Sequence, residues 1–189
     1  GGRFQIVGTQ LKVATGASLD YEAATVHNVT VVATDKGLQT FSKSFVISLN
    51  NVFDVAPTDV LLSATAVTEN SAVGTVVGTL SATDAEAGDS HTFSLNDAAG
   101  GSFTVAGNQL QVAPGALLDN GVATSHSLTV RAMDRGNLTF DKRFTISVGN
   151  LNETPTAISL TGRSVPENSP GGTVVGQLSA TDPDPGDTH

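Results

Sequence analysis

Carboxylates recur along this chain at a fixed long interval, most of them beside turn-forming residues. They run as Asp20 and Glu22 in Leu19-Asp20-Tyr21-Glu22, Asp35 in Ala33-Thr34-Asp35-Lys36-Gly37, Asp54 before Val55-Ala56-Pro57, Glu69 in Glu69-Asn70-Ser71, then Asp84, Glu86 and Asp89. The order returns as Asp119, Asp134, Glu153, Glu167, Asp182, Asp184 and Asp187. Asp35 and Asp134 stand 99 residues apart, Glu69 and Glu167 98. Two like unit charges 4 Å apart repel by about 1 kcal/mol in water and about 4 kcal/mol near a protein surface. Acids that converge therefore need a cation between them. Carboxylate, amide and carbonyl oxygens with no Cys or His among them are hard ligands, which select calcium over zinc or copper.

The elements that must position these acids are strands. Leu138, Phe140, Phe144, Ile146 and Val148 share one parity, broken only by Lys142, and Leu128, Val130 and Ala132 alternate likewise. Each such segment offers one apolar face at period two. Phe41, Phe45, Ile47 and Leu49 repeat the pattern earlier, and runs such as Gly107-Asn108 and Ala113-Pro114-Gly115 read as turns between strands. Thr75-Val76-Val77-Gly78-Thr79-Leu80-Ser81-Ala82-Thr83-Asp84 returns nearly unchanged at Thr173 to Asp182. A long fixed period marks stacked units rather than one active-site domain. The spacing predicts part of one unit over 1–57, a whole unit over 58–155 and the start of another over 156–189. About seven short strands in roughly 100 residues point to an all-β fold, a tandem of antiparallel Greek-key β-sandwiches. Their loops gather at the sandwich ends, which puts the acids at the junctions between units.

Composition narrows the function. With 18 acidic against 9 basic residues the net charge is −9, and the basic residues are scattered. Nucleic acid is excluded as a partner, because replacing phosphate counterions takes clustered Lys and Arg. The absence of Cys tells against a disulfide-stapled scaffold. No phosphate loop, nucleophile elbow or Cys/His pair is present, and acids that repeat in every unit are unlike a single catalytic dyad. The chain reads as no enzyme. The Gly88-Asp89 and Gly186-Asp187 pairs read as turns, and His27, His91, His126 and His189 as structural residues.

These blocks resemble the cadherin repeat, and more closely the cadherin-like repeat of large bacterial surface and secreted proteins. Glu69-Asn70-Ser71 and Pro166-Glu167-Asn168-Ser169 match the family's P-E-N block, Leu19-Asp20-Tyr21-Glu22 its L-D-x-E, and Ala33-Thr34-Asp35-Lys36-Gly37 its A-x-D-x-G. Asn51 to Pro57 and Asn150 to Pro155 match its linker, and Asp84-Ala85-Glu86 and Asp182-Pro183-Asp184 its D-x-D. The resemblance implies calcium ions between successive repeats. It places Asp20, Glu22, Asn51 and Asp54 on the leading side of a first junction, with Asp84, Glu86 and Asp134 on the following side. A second junction draws on Glu69, Asp119, Asn150, Asn152 and Glu153, then Asp182 and Asp184. Asp35 and Glu167 fall to junctions outside this chain. Gly121 stands where the first copy has Glu22, so the second junction is expected to bind fewer or weaker ions. Phe53 replaces a usual linker Asn and Glu86 a usual Asp.

The function this implies is mechanical. The chain is expected to be a calcium-rigidified stalk or adhesive segment of an extracellular, membrane-associated or secreted surface protein, partnered by neighbouring repeats and by a homophilic or other surface protein. The alternative is a carbohydrate- or protein-binding module. Glycan stacking needs exposed aromatic rings, and Tyr21 is the only Tyr in a chain without Trp.

Overall fold

The computed structural model describes residues 2–184 and 186–188, and every regular element among them is a strand. His189 lies outside the described residues. Two antiparallel hairpins come first: β1 (Phe4–Val7) with β2 (Gln10–Val13), and β3 (Val26–Thr34) with β4 (Thr40–Ser48). Eight strands follow: β5 (Asp59–Leu62), β6 (Ala66–Thr68), β7 (Val76–Thr83), β8 (Thr92–Asp97), β9 (Phe103–Ala106), β10 (Gln109–Val112), β11 (Ser125–Met133) and β12 (Thr139–Gly149). The last pair is β13 (Ala157–Leu160) with β14 (Leu178–Thr181).

The eight middle strands close a sandwich. One sheet runs β5-β7-β10-β9 and the other β6-β12-β11-β8. All pairings are antiparallel except β6 with β12, whose register sets Ala66 beside Ser147 and Thr68 beside Gly149. The chain thus changes sheets between β5 and β6. At the crossing the amide of Ser63 donates to the Thr79 carbonyl and Thr79 N–H to the Ser63 hydroxyl. Gly78 makes the crossing possible, since a Cβ there would stand 2.9 Å from the Ala64 backbone. That close approach accounts for the glycine inside the repeated Thr75 to Asp84 block.

Period two decides what each strand buries. On β12 the even positions Phe140, Phe144, Ile146 and Val148 turn inward, and on β11 Leu128, Val130 and Ala132 are fully buried. They meet Leu80, Leu110, Val112 and Phe103 of the facing sheet in one cluster. Burying a side chain of this size is worth about 1.5–3 kcal/mol. Lys142, the polar residue on the apolar parity, reaches across the open edge of the sandwich. Its ammonium lies 2.7 Å from Asp59 Oδ1 on β5 and 5.6 Å from the Phe144 ring centre. Outside, Arg131 grips Asp141 in two bonds of 2.7 and 2.8 Å, with the Asn96 amide as a third donor.

The flanking strands carry the same pattern in two-stranded sheets that leave much of it uncovered. Phe41 is 71% exposed, and Ile6, Leu11, Val31, Phe45 and Ile47 line an open apolar groove. Ile158 and Leu178 of the last pair are as bare.

Candidate metal centres between the units

The first junction is built around Glu86, in the loop that follows β7. Its side chain is almost fully buried because it clasps the linker: Oε1 accepts from Asp54 N–H at 3.0 Å and Oε2 from Val55 N–H at 3.2 Å. Asp84, two residues earlier, accepts from Glu86 N–H with Oδ1 and bonds the His91 ring with Oδ2, each at 3.0 Å. Burial pushes the Asp84 carboxyl up, but the Glu86 amide and the His91 ring outweigh it and hold the group below its ordinary range. Asp84 is therefore ionised at neutral pH.

The β11–β12 turn supplies the other wall. Asp134, 4% exposed, accepts from Leu138 N–H at 2.7 Å with Oδ1. Its Oδ2 is shielded from water and takes no hydrogen bond from the described residues. Asn137 closes the turn at φ 66, a left-handed conformation that Asn tolerates. Gly136 lies flat under the linker, where a Cβ would stand only 2.1 Å from the Phe53 carbonyl oxygen. The Arg135 guanidinium sits 4.4 Å from the Phe53 ring centre, so the aromatic that replaces a linker Asn docks on the following unit.

Three acid groups result. Glu22, Asp54 and Glu86 each bring an oxygen within 4.8 Å of the others, as do Glu86, Asp89 and Asp134, so Glu86 is shared. Asp84 and Asp89 form a third group with His91. Asp20 lies outside them, its Oδ1 taken by Ala23 N–H. Asn51, in the linker, has a buried Oδ1 without a hydrogen-bond partner among the described residues.

The second junction repeats the plan with differences. Glu69, 2% exposed, joins the loop after β10 to the linker: Asn120 N–H donates to Oε2 at 2.5 Å and Leu151 N–H to Oε1 at 2.7 Å. Asn70 donates to Glu153 Oε1, and Asp119 accepts from Val122 N–H. Asp184 takes one linker amide, Glu153 N–H at 2.5 Å, where Glu86 takes two, and its Oδ1 is buried without a hydrogen bond from the described residues. Asp182, Asp184 and Asp187 form one group. Glu69, Asp119 and Glu153 do not join it among the described residues, and Gly121 offers no carboxylate. Asn150 is exposed, and the Asn152 amide bonds the Glu153 carbonyl.

Several sequence expectations are sharpened here. Asp89 and Asp187 do close turns, through Asp89 N–H to Glu86 O and Asp187 N–H to Asp184 O, yet both also stand inside acid groups. Their recurrence in both copies was the available signal. Not every acid lies in a loop: Asp59, Asp97 and Asp141 belong to β5, β8 and β12. His27 and His126 pack edge-on against Phe4 and Phe103 at 5.9 Å, away from the acids, whereas His91 positions Asp84.

The donor set fits calcium. Buried oxygens of Asn51, Asp89, Asp134 and Asp184 lack a hydrogen bond from the described residues, an arrangement that costs stability unless a cation completes it. All are hard ligands, and the one nearby imidazole is engaged with Asp84.

One closed β-sandwich flanked by strands of the same pattern, with linkers clasped by buried acids, defines a class of tandem β-module. No protein-family model matches the chain. It is similar to protocadherin gamma-A2 of Pan troglodytes and of Homo sapiens, each 30% identical over 193 residues that cover 97% of this chain and 21% of the relative. It therefore spans about a fifth of those relatives. Among solved structures it is similar to protocadherin gamma B7 extracellular cadherin domains 1-4, with a TM-score of 0.68 and 25% identity over 93% of this chain and 44% of that one. Mouse cadherin-23 EC22-24 gives 0.64 and 26% over 98% of this chain and 63% of that one. The fold of this chain is thus similar to that of tandem extracellular cadherin domains.

Proposed function

We propose that this chain is a calcium-stiffened stretch of an adhesive extracellular array, with units over 1–57, 58–155 and 156–189. The observation that carries this is Glu86. One buried carboxylate both grips the linker backbone and belongs to two acid groups, so the geometry of the joint and the charge at the joint are the same structure. Without a cation the acids repel and the linker is held by hydrogen bonds alone. With one, the groups close and the joint holds an angle.

Asp20, Glu22, Asn51, Asp54, Asp84, Glu86 and Asp134 would hold calcium at the first junction. Glu69, Asp119, Asn150, Asn152, Glu153, Asp182 and Asp184 would do so more weakly at the second. Ligand that binds only the folded state adds about 2.7 kcal/mol at a hundredfold excess over its dissociation constant. Adhesion itself, homophilic or to another surface protein, follows from the class of module. The attribution to a bacterial surface protein rests on the sequence resemblance, since the relatives reported above are primate proteins. The test is a count of bound calcium by equilibrium dialysis, together with thermal melts in calcium and in chelator. The expected result is bound ions and a higher melting temperature in calcium. No bound ions and coincident melts would refute the proposal.

A further inference from the structure

We infer that Asp89 is a side-chain ligand to the junction cation held between Glu86 and Asp134, a role beyond its turn; the inference rests on the calcium reading above. Asp89 follows the D-x-E acids after Gly88, in a turn closed by its own amide on the Glu86 carbonyl. Its two oxygens are divided. Oδ1 accepts from Ser90 N–H at 2.6 Å, while Oδ2 is shielded from water and takes no hydrogen bond from the described residues. One oxygen each of Glu86, Asp89 and Asp134 lies within 4.8 Å of the other two.

A cluster of acids alone would mean little, but Asp134 adds an independent sign. It is 96% buried, its Oδ1 is held by Leu138 N–H, and its Oδ2 has no partner among the described residues. Burying an unpaired carboxylate oxygen beside two further carboxylates is unfavourable in the absence of a cation. The third acid also answers a deficit on the linker. Phe53, a hydrocarbon where a linker Asn is usual, has no side-chain oxygen to contribute, and its ring lies against Arg135. Asp89 supplies the hard oxygen from the following unit instead. The same position in the next copy, Asp187, lies in a group with Asp182 and Asp184, so the last acid of D-x-[D/E]-x-G-D joins an acid group in both copies.

The experiment titrates calcium into the whole chain by calorimetry for the wild type, Asp89→Asn and Glu22→Gln. Asn keeps the Oδ1 acceptor for Ser90 and removes the charge. Asp89→Asn should weaken one class of site by about tenfold or more, while its melting temperature in chelator is not lowered, since one fewer close carboxylate relieves repulsion there. Glu22→Gln should weaken the sites of the other group and leave the Asp89-dependent class in place. An unchanged isotherm for Asp89→Asn beside a calcium-binding wild type overturns the role of Asp89 alone. A melting temperature lowered equally in chelator and in calcium assigns Asp89 to the turn and overturns it too. A wild type that binds no calcium overturns the reading beneath it.

Discussion

Single residues at the junctions do two things at once, and their substitution separates the two. Glu69 satisfies the amides of Asn120 and Leu151 from a site that is 2% exposed. Glu69→Ala orphans both donors, and each buried unsatisfied group costs about 1–3 kcal/mol. Denaturant unfolding should therefore show a loss of about 2–6 kcal/mol even in chelator. Gly136 works by having no side chain. Gly136→Ala forces the Phe53 carbonyl away and should shrink the calcium-induced rise in melting temperature while leaving the chelator melt nearly unchanged. Asn137→Leu, at φ 66, should cost about 1–2 kcal/mol, the ordinary penalty of a left-handed non-glycine residue. The recurrence of the D-x-D and P-E-N acids was legible from spacing, and the family resemblance supplied their expected role. The burial of Asp89 Oδ2 was not legible, because a Gly-Asp pair is equally a turn, and only the fold shows which oxygens lose their water.

At the scale of elements, alternation told the truth where a strand has two different faces. Leu128, Val130 and Ala132, and Phe140 to Val148, lie as their parity requires. The parallel pairing of β6 with β12 was not legible, since nothing in Ala66-Val67-Thr68 announces a change of sheet and the glycine that permits it, Gly78, is a strand away. Lys142 was legible only as an interruption; the structure makes it a tie to Asp59. Ile146→Ala should destabilise the sandwich by about 2–5 kcal/mol, seen as a lower denaturant midpoint, whereas Lys142→Met should move that midpoint far less because the tie is solvent-screened. Hydrogen bonds from Arg131 and Lys142 hold the Asp141 and Asp59 carboxyls below their ordinary value of 3.8. A depressed carboxyl stabilises the fold at pH values above its unfolded pKa and ceases to do so as pH falls through its folded one. Acid melts should therefore be flat down to about pH 4 in respect of these pairs, then fall, and Asp141→Asn should remove part of that fall.

For the whole molecule, the repeat interval is also the interval between acid groups, and the two junctions are not copies. The first has a shared Glu86, two linker amides clasped and a Phe53–Arg135 contact. In the second, Asp184 clasps one linker amide and Glu69 another, Gly121 offers no carboxylate, and Glu153 turns toward Asn70. Stiffness should accordingly differ from joint to joint. The central claim, that cations rather than the linker backbone alone fix the angle between units, is tested most directly by small-angle scattering of the chain in calcium and in chelator. A narrower distribution of sizes and a longer maximum dimension in calcium, both lost in Glu86→Gln, is the predicted result. Superimposable profiles from a chain that has bound its calcium would contradict it.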